Sequence, residues 1–240
     1  MNVATRGTSV LLAAAVTLAL SACTSGPAPM PAQSFTAAST PRPLPTVTPA
    51  AEPAPADTLT TVTTIVVRPE HLELRDAADT LVLTLSYDAD SVTIVDTLST
   101  VLEAEPTQTD SAGGMESPPA TQYQWDGVRV WDDHDDSDGW GLIDMNVSIL
   151  FTTPLVGDGV SVRTSTGFAP GDDAEALATE LGEPWYGNGI DQVRVESGEP
   201  IGEPNFDEYE NAYSVAVNSW EAYGATSAIL APWNFGIGHV

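Results

Sequence analysis

After Leu59 the apolar residues of this chain come in short runs, mostly at every second position. Each run is soon stopped by proline, glycine or a cluster of aspartates. A strand turns successive side chains to opposite faces, so this pattern commits the chain to half-buried strands rather than to stacked helices. Residues 61–68 are β-branched and rich in valine, and Pro69 ends them. Residues 71–75 alternate, and so do Leu81, Leu83 and Leu85. Residues 123–130 carry Asp126-Gly127 between two alternating runs, which predicts a hairpin on a two-residue turn with positive φ. Further strands are expected over 142–153, 160–163, 192–195, 213–217 and 225–231. The polar stretch 107–120 reads as a loop.

Only two segments break this rhythm with a helical period. Ile94, Val95, Leu98, Val101 and Leu102 share one face of a helix that Asp90 or Ser91 can cap. Ala174, Leu177, Ala178 and Leu181 form a second stripe, with Asp172 as its cap, Glu175 three residues on and Gly182 at its end. Both helices run into Glu-Pro, where the residue before proline leaves helical geometry. Many short strands with two helices give an α+β fold of antiparallel sheets. The two halves also repeat an order of events. Leu72-Glu73-Leu74-Arg75 matches Val160-Ser161-Val162-Arg163, Val128-Arg129-Val130 matches Val193-Arg194-Val195, and Ile149-Leu150 matches Ile229-Leu230. This suggests two copies of a strand–helix–strands unit, over 67–154 and 158–232.

The first 56 residues obey different rules. Residues 23–56 follow cysteine with prolines spaced by Ala, Ser and Thr, and offer almost nothing to bury. They read as a tether without fixed structure, carrying a folded domain over 57–240. Before them, Arg6 opens a charged start, residues 8–20 are apolar or small, and Leu20-Ser21-Ala22-Cys23 follows. That is the plan of a secretory signal, and its apolar centre is too short to span a bilayer as a helix. Leu20-Ser21-Ala22-Cys23 resembles the lipobox of bacterial lipoproteins. The resemblance implies removal of residues 1–22 and transfer of a diacylglycerol to the Cys23 thiol. The mature protein would then be anchored on the extracytoplasmic face of the cell membrane, with acyl chains such as palmitate in the lipid. Two acyl chains hold a protein stably where one does not. With one cysteine in 240 residues no disulfide forms within the chain, so the fold rests on its core.

The chain has 7 basic and 34 acidic residues, a net charge of −27, and no lysine. Such a surface is repelled by phosphate backbones, which excludes nucleic acid as a partner. The acids crowd most at Asp132, Asp133, Asp135, Asp136 and Asp138, followed by Gly139. Clustered aspartates with a turning glycine can ligate calcium. The helix–loop–helix calcium signature fails here, because counting from Gly139 places His134 first and Met145 last. A solvated turn between strands is the competing reading. Trp131 and Trp140 flank this loop, and exposed tryptophans beside carboxylates can grip sugars, while burial in the core is the alternative for tryptophan generally. There is no nucleophile elbow, phosphate loop or histidine pair with metal spacing, so nothing marks an enzyme. The sequence thus points to a non-enzymatic, membrane-anchored interaction module for an envelope or protein partner, needing no cofactor. Cation (Ca2+) or glycan binding through 132–138 with Trp131 and Trp140 is the alternative, and an envelope enzyme comes third.

Overall fold

The computed structural model describes residues 56–114, 118–134, 145–185, 191–202, 209–219 and 227–236. The signal, Cys23 and the tether therefore lie outside the described residues. All described residues belong to one unit, Pro49–Val240. In chain order the elements are α1 (Ala56–Leu59), β1 (Val62–Val67), β2 (His71–Asp76), β3 (Leu81–Ser86), α2 (Ser91–Leu102), β4 (Thr107–Ser111), β5 (Ala120–Trp125) and β6 (Val128–Asp132). They continue with β7 (Val147–Phe151), β8 (Leu155–Val156), β9 (Val160–Thr164), α3 (Ala174–Leu181), β10 (Asp191–Gly202), β11 (Asn211–Ser219) and β12 (Ala228–Trp233). The fold is α+β and dominated by strands. None of its described helices is long and apolar enough to cross a membrane.

The strands form two sheets, one of five in the order β3-β2-β1-β9-β8 and one of seven in the order β10-β11-β12-β7-β6-β5-β4. The seven-stranded sheet is antiparallel throughout. In the five-stranded sheet β1 pairs with β9 in parallel, Thr64 opposite Ser161, which corrects the expectation of purely antiparallel sheets. Antiparallel neighbours need only a tight turn. A parallel pair needs a long crossover, here the whole stretch from β2 to β8. A second correction concerns residues 107–111, expected as loop. They form β4, an edge strand whose five residues are all exposed, so no apolar alternation announced it.

Alternation sorts the faces. On β2, Leu72 and Leu74 are fully buried, while His71, Glu73 and Arg75 look outward. On β6, Val128 and Val130 are buried and Arg129 and Trp131 take the other face. The inward residues of both sheets join Ile94, Leu98, Val101 and Leu102 of α2 and Ala174, Leu177 and Ala178 of α3 in one core. Trp125 belongs to it, 6 % exposed, with its indole N–H donating to the Ala104 carbonyl at 2.9 Å. Asp90 caps α2, accepting from the Thr93 N–H at 2.9 Å. The cap of α3 is Asp173 and not Asp172: Asp173 accepts from Ala176 N–H at 3.0 Å, while Asp172 accepts from Ala169 N–H at 2.9 Å. Adjacent aspartates can each make either bond, so sequence alone cannot choose between them.

Gly127 completes the expected Asp126-Gly127 turn with φ +77°, and an added Cβ would stand 2.0 Å from the Thr153 hydroxyl oxygen. Between β7 and β12 the register is Ile149 opposite Ala231, Leu150 opposite Leu230 and Phe151 opposite Ile229. On either side of that seam three consecutive strands follow in mirrored order, β7-β6-β5 and β12-β11-β10.

Candidate functional site

Of the acidic stretch, Asp132, Asp133 and His134 are among the described residues. Asp132 ends β6 with the parity of Val128 and Val130, so it takes the inward side and its side chain is only 14 % exposed. Its Oδ1 lies 3.3 Å from His134 Nδ1 and accepts the His134 N–H at 3.2 Å. His134 holds φ +51°, a left-handed turn that folds its ring back over the sheet. The other ring nitrogen, Nε2, sits 2.8 Å from the Thr121 hydroxyl, and Thr121 donates to Asp110 Oδ1 at 3.0 Å. Cross-strand register explains this meeting, because Asp110, Thr121 and Asp132 stand in one row across β4, β5 and β6. The hydrogen bonds from Gln108 and Thr121, with the nearby His134, hold the Asp110 carboxyl below its ordinary range. Sequence reasoning missed Asp110, since the signal for it was the pairing of a strand that looked like a loop.

Asp133 is partly buried. Asp135, Asp136, Asp138 and Trp140 lie outside the described residues. Among the described residues no group of three His, Cys, Asp or Glu side chains is placed to hold a metal ion. The Asp132 carboxylate is already engaged by a histidine, so its part in a calcium shell would require breaking that pair.

Trp131 is placed differently. It stands on the opposite face of β6, with the Arg129 guanidinium carbon 5.3 Å from its ring centroid. Trp131 is paired with Gln122, and Arg129 with Gln124, whose partner on β4 is Thr107. The Gln122 amide donates to Gln124 Oε1 at 3.1 Å. One wing of the large sheet therefore shows an indole, a guanidinium, two amides and the hydroxyls of Thr107 and Thr109 on one face. A cleft of about 500 Å³ opens beside it, lined by Thr107, Gln124, Asp126, Gly127, Arg129 and Thr152, with Trp125 and Val128 beneath. This volume falls within the usual range for small-ligand sites, although its lining is more polar than most.

A second polar cluster sits on the outward face of the five-stranded sheet. Glu73, 13 % exposed, accepts from Arg68 at 3.0 Å through Oε1, and from Arg75 at 2.7 and 2.9 Å through Oε2. Arg68 also reaches Glu196 on β10 at 2.7 Å, and Ser165 donates to the same carboxylate. Arg163 meets Asp79 at 3.2 Å. Each arginine has an acid, so this cluster ties β2 to the far sheet and offers no uncompensated charge to a ligand.

No protein-family model matches the chain, and no curated protein or solved structure matches it either. The functional reading therefore rests on the chemistry of these faces alone.

Proposed function

We propose that this protein is a non-enzymatic binding module, held by a Cys23 lipid anchor on the extracytoplasmic face of the cell membrane, and that its ligand is a glycan of the envelope. The observation that carries the ligand class is the outward face of β4, β5 and β6. Sugars are bound by an aromatic plate for their C–H faces and by amides, hydroxyls and charged forks for their hydroxyl groups. Trp131, Gln122, Gln124, Arg129 and Thr107 supply that set beside a cleft of ligand size. This favours a glycan over a cation, because Trp131 faces outward while Asp132 is turned inward onto His134.

Calorimetric titration with soluble envelope oligosaccharides tests this reading. Trp131→Ala should weaken binding by roughly thirtyfold, the equivalent of about 2 kcal/mol for a central aromatic anchor. Asp132→Asn should change it less than about twofold. The reverse ranking, with binding that needs calcium, would replace the glycan by a cation. For the anchor, cells fed radiolabelled palmitate should label this protein, and Cys23→Ala should abolish the label. A label that survives Cys23→Ala, or none on the parent, would remove the Cys23 lipid from the account.

A two-copy organisation of 67–154 and 158–232 has one feature for it and two against. In its favour, Ile149-Leu150 and Ile229-Leu230 meet antiparallel with Leu150 opposite Leu230, as a twofold axis through the seam requires. Two features depart from it. Val128-Arg129-Val130 lies next to the seam strand on β6, whereas Val193-Arg194-Val195 lies one strand further out, on β10. The β2–β3 hairpin has no counterpart after β9, where α3 follows directly.

A further inference from the structure

We propose that the outer edge of β4, which pairs with no further strand among the described residues, accepts an extended, basic peptide segment as an eighth strand of the large sheet. An edge strand presents a row of unpaired N–H and C=O groups, and proteins usually blunt it with bulges, proline, lysine or short length. The edges of this molecule can be compared. On β10 the pairing slips three times and Pro200 interrupts the donors. On β8 the edge is two residues long, and on β3 the pairing slips once, between Leu74 and Arg75 of its neighbour, with α1 lying against the strand. On β4 all five residues pair with β5 in continuous register, none is proline, and all are exposed. The chain has no lysine to place there. Thr107, Thr109 and Ser111 on one side and Gln108 and Asp110 on the other offer no apolar pocket. Recognition at this edge is therefore by main chain and charge.

Charge selects the occupant. Residues 103–126 carry Glu103, Glu105, Asp110, Glu116 and Asp126 and no basic residue. Asp110 is the fourth of its five residues, and its carboxylate accepts from the Gln108 amide and the Thr121 hydroxyl. A basic side chain of an incoming strand would lie across from it. A second copy of this acidic chain would bring Asp110 and its flanking glutamates against their own kind, which disfavours self-pairing.

The test uses the full chain and a synthetic peptide, acetyl-Thr-Lys-Val-Lys-Val-Lys-Thr-amide. Two further versions carry backbone N-methyl groups, one on the three lysines and the other on the two valines. Successive N–H groups of a strand point to opposite edges, so strand addition needs only one of these sets. The unmodified peptide should bind and slow amide hydrogen exchange over 107–111 by at least about tenfold. One methylated version should bind like it, and the other should bind at least about tenfold more weakly. Equal binding of all three peptides would overturn the proposal in favour of bulk charge attraction. No binding of the unmodified peptide would overturn it outright, and slowed exchange that follows protein concentration without peptide would assign the edge to a second copy. The peptide test stands apart from the sugar plate, because strand addition uses main-chain groups of β4 whereas Trp131, Gln122, Gln124 and Arg129 lie on β5 and β6.

Discussion

Replacing Phe151 with alanine should lower the stability of the fold by about 4 kcal/mol, close to a thousandfold in the folding constant. Phe151 is fully buried, among the largest side chains in the core. It ends β7, pairs with Ile229 of β12 on one side and Val128 of β6 on the other, and so stands at the seam where the halves of the large sheet join. Removing a buried aromatic loses its transfer free energy and leaves a cavity that interlocked neighbours from several elements cannot close. Urea unfolding should show one transition, shifted to lower denaturant with an unchanged slope, because both sheets and both long helices share one core. Leu81→Ala, at a side chain 48 % exposed, should cost less than about 0.5 kcal/mol and serves as the control. Two separate transitions, only one of them displaced, would mean that 67–154 and 158–232 fold independently. The single-core account would then fail.

What the sequence disclosed follows from which interactions are local. α2 was legible because one apolar stripe and one capping aspartate lie within a dozen residues, and both do in the fold what they do on paper. The Asp126-Gly127 hairpin was legible for the same reason. Pairing of β1 with β9 was not, since Thr64 and Ser161 meet only through the closure of a long loop that no local pattern encodes. β4 was hidden because an edge strand exposed on both faces needs no apolar residue to exist once β5 offers it hydrogen bonds. The candidate site shows the same division. The outward position of Trp131 and the inward one of Asp132 follow from their alternation with Val128 and Val130, so the contrast between an outward indole and an inward carboxylate was already written in β6. The approach of Asp110 to His134 through Thr121 depends on strand register, which alternation does not fix between polar residues.

Acid should weaken this protein in two stages, with His71 contributing to the upper one and Glu73, beside Asp90 and Asp110, to the lower. Burial raises the Glu73 carboxyl, but the Arg75 hydrogen bonds and the charges of Arg68 and Arg75 outweigh it and leave it below its ordinary 4.5. A carboxylate lowered in the fold adds stability that is present above its unfolded value and lost as pH falls through the folded one. Its contribution should therefore fade below about pH 4.5. His71 is lowered from its ordinary 6.5, first by burial and then by Arg68, against the opposing pull of Glu73 3.9 Å away. The unfolded chain takes up this proton before the fold does, so stability should already decline as pH drops through about 6.5. His71→Gln should remove the upper decline and leave the lower one. Glu73→Ala should cost about 2 to 3 kcal/mol near neutral pH, because Arg68 and Arg75 lose the acceptor they share on a face where Glu73 is nearly buried. It should also flatten the lower decline. Glu73→Gln, which keeps an acceptor oxygen but no charge, should fall between the two at pH 7 and approach the unmodified protein as pH falls through the lowered value of the folded carboxyl, where the carboxylate is itself protonated. A Glu73→Ala protein that unfolds at the same urea concentration as its parent would show that Arg68 holds the end of β1 to β10 through Glu196 alone, with Glu73 a bystander to that link.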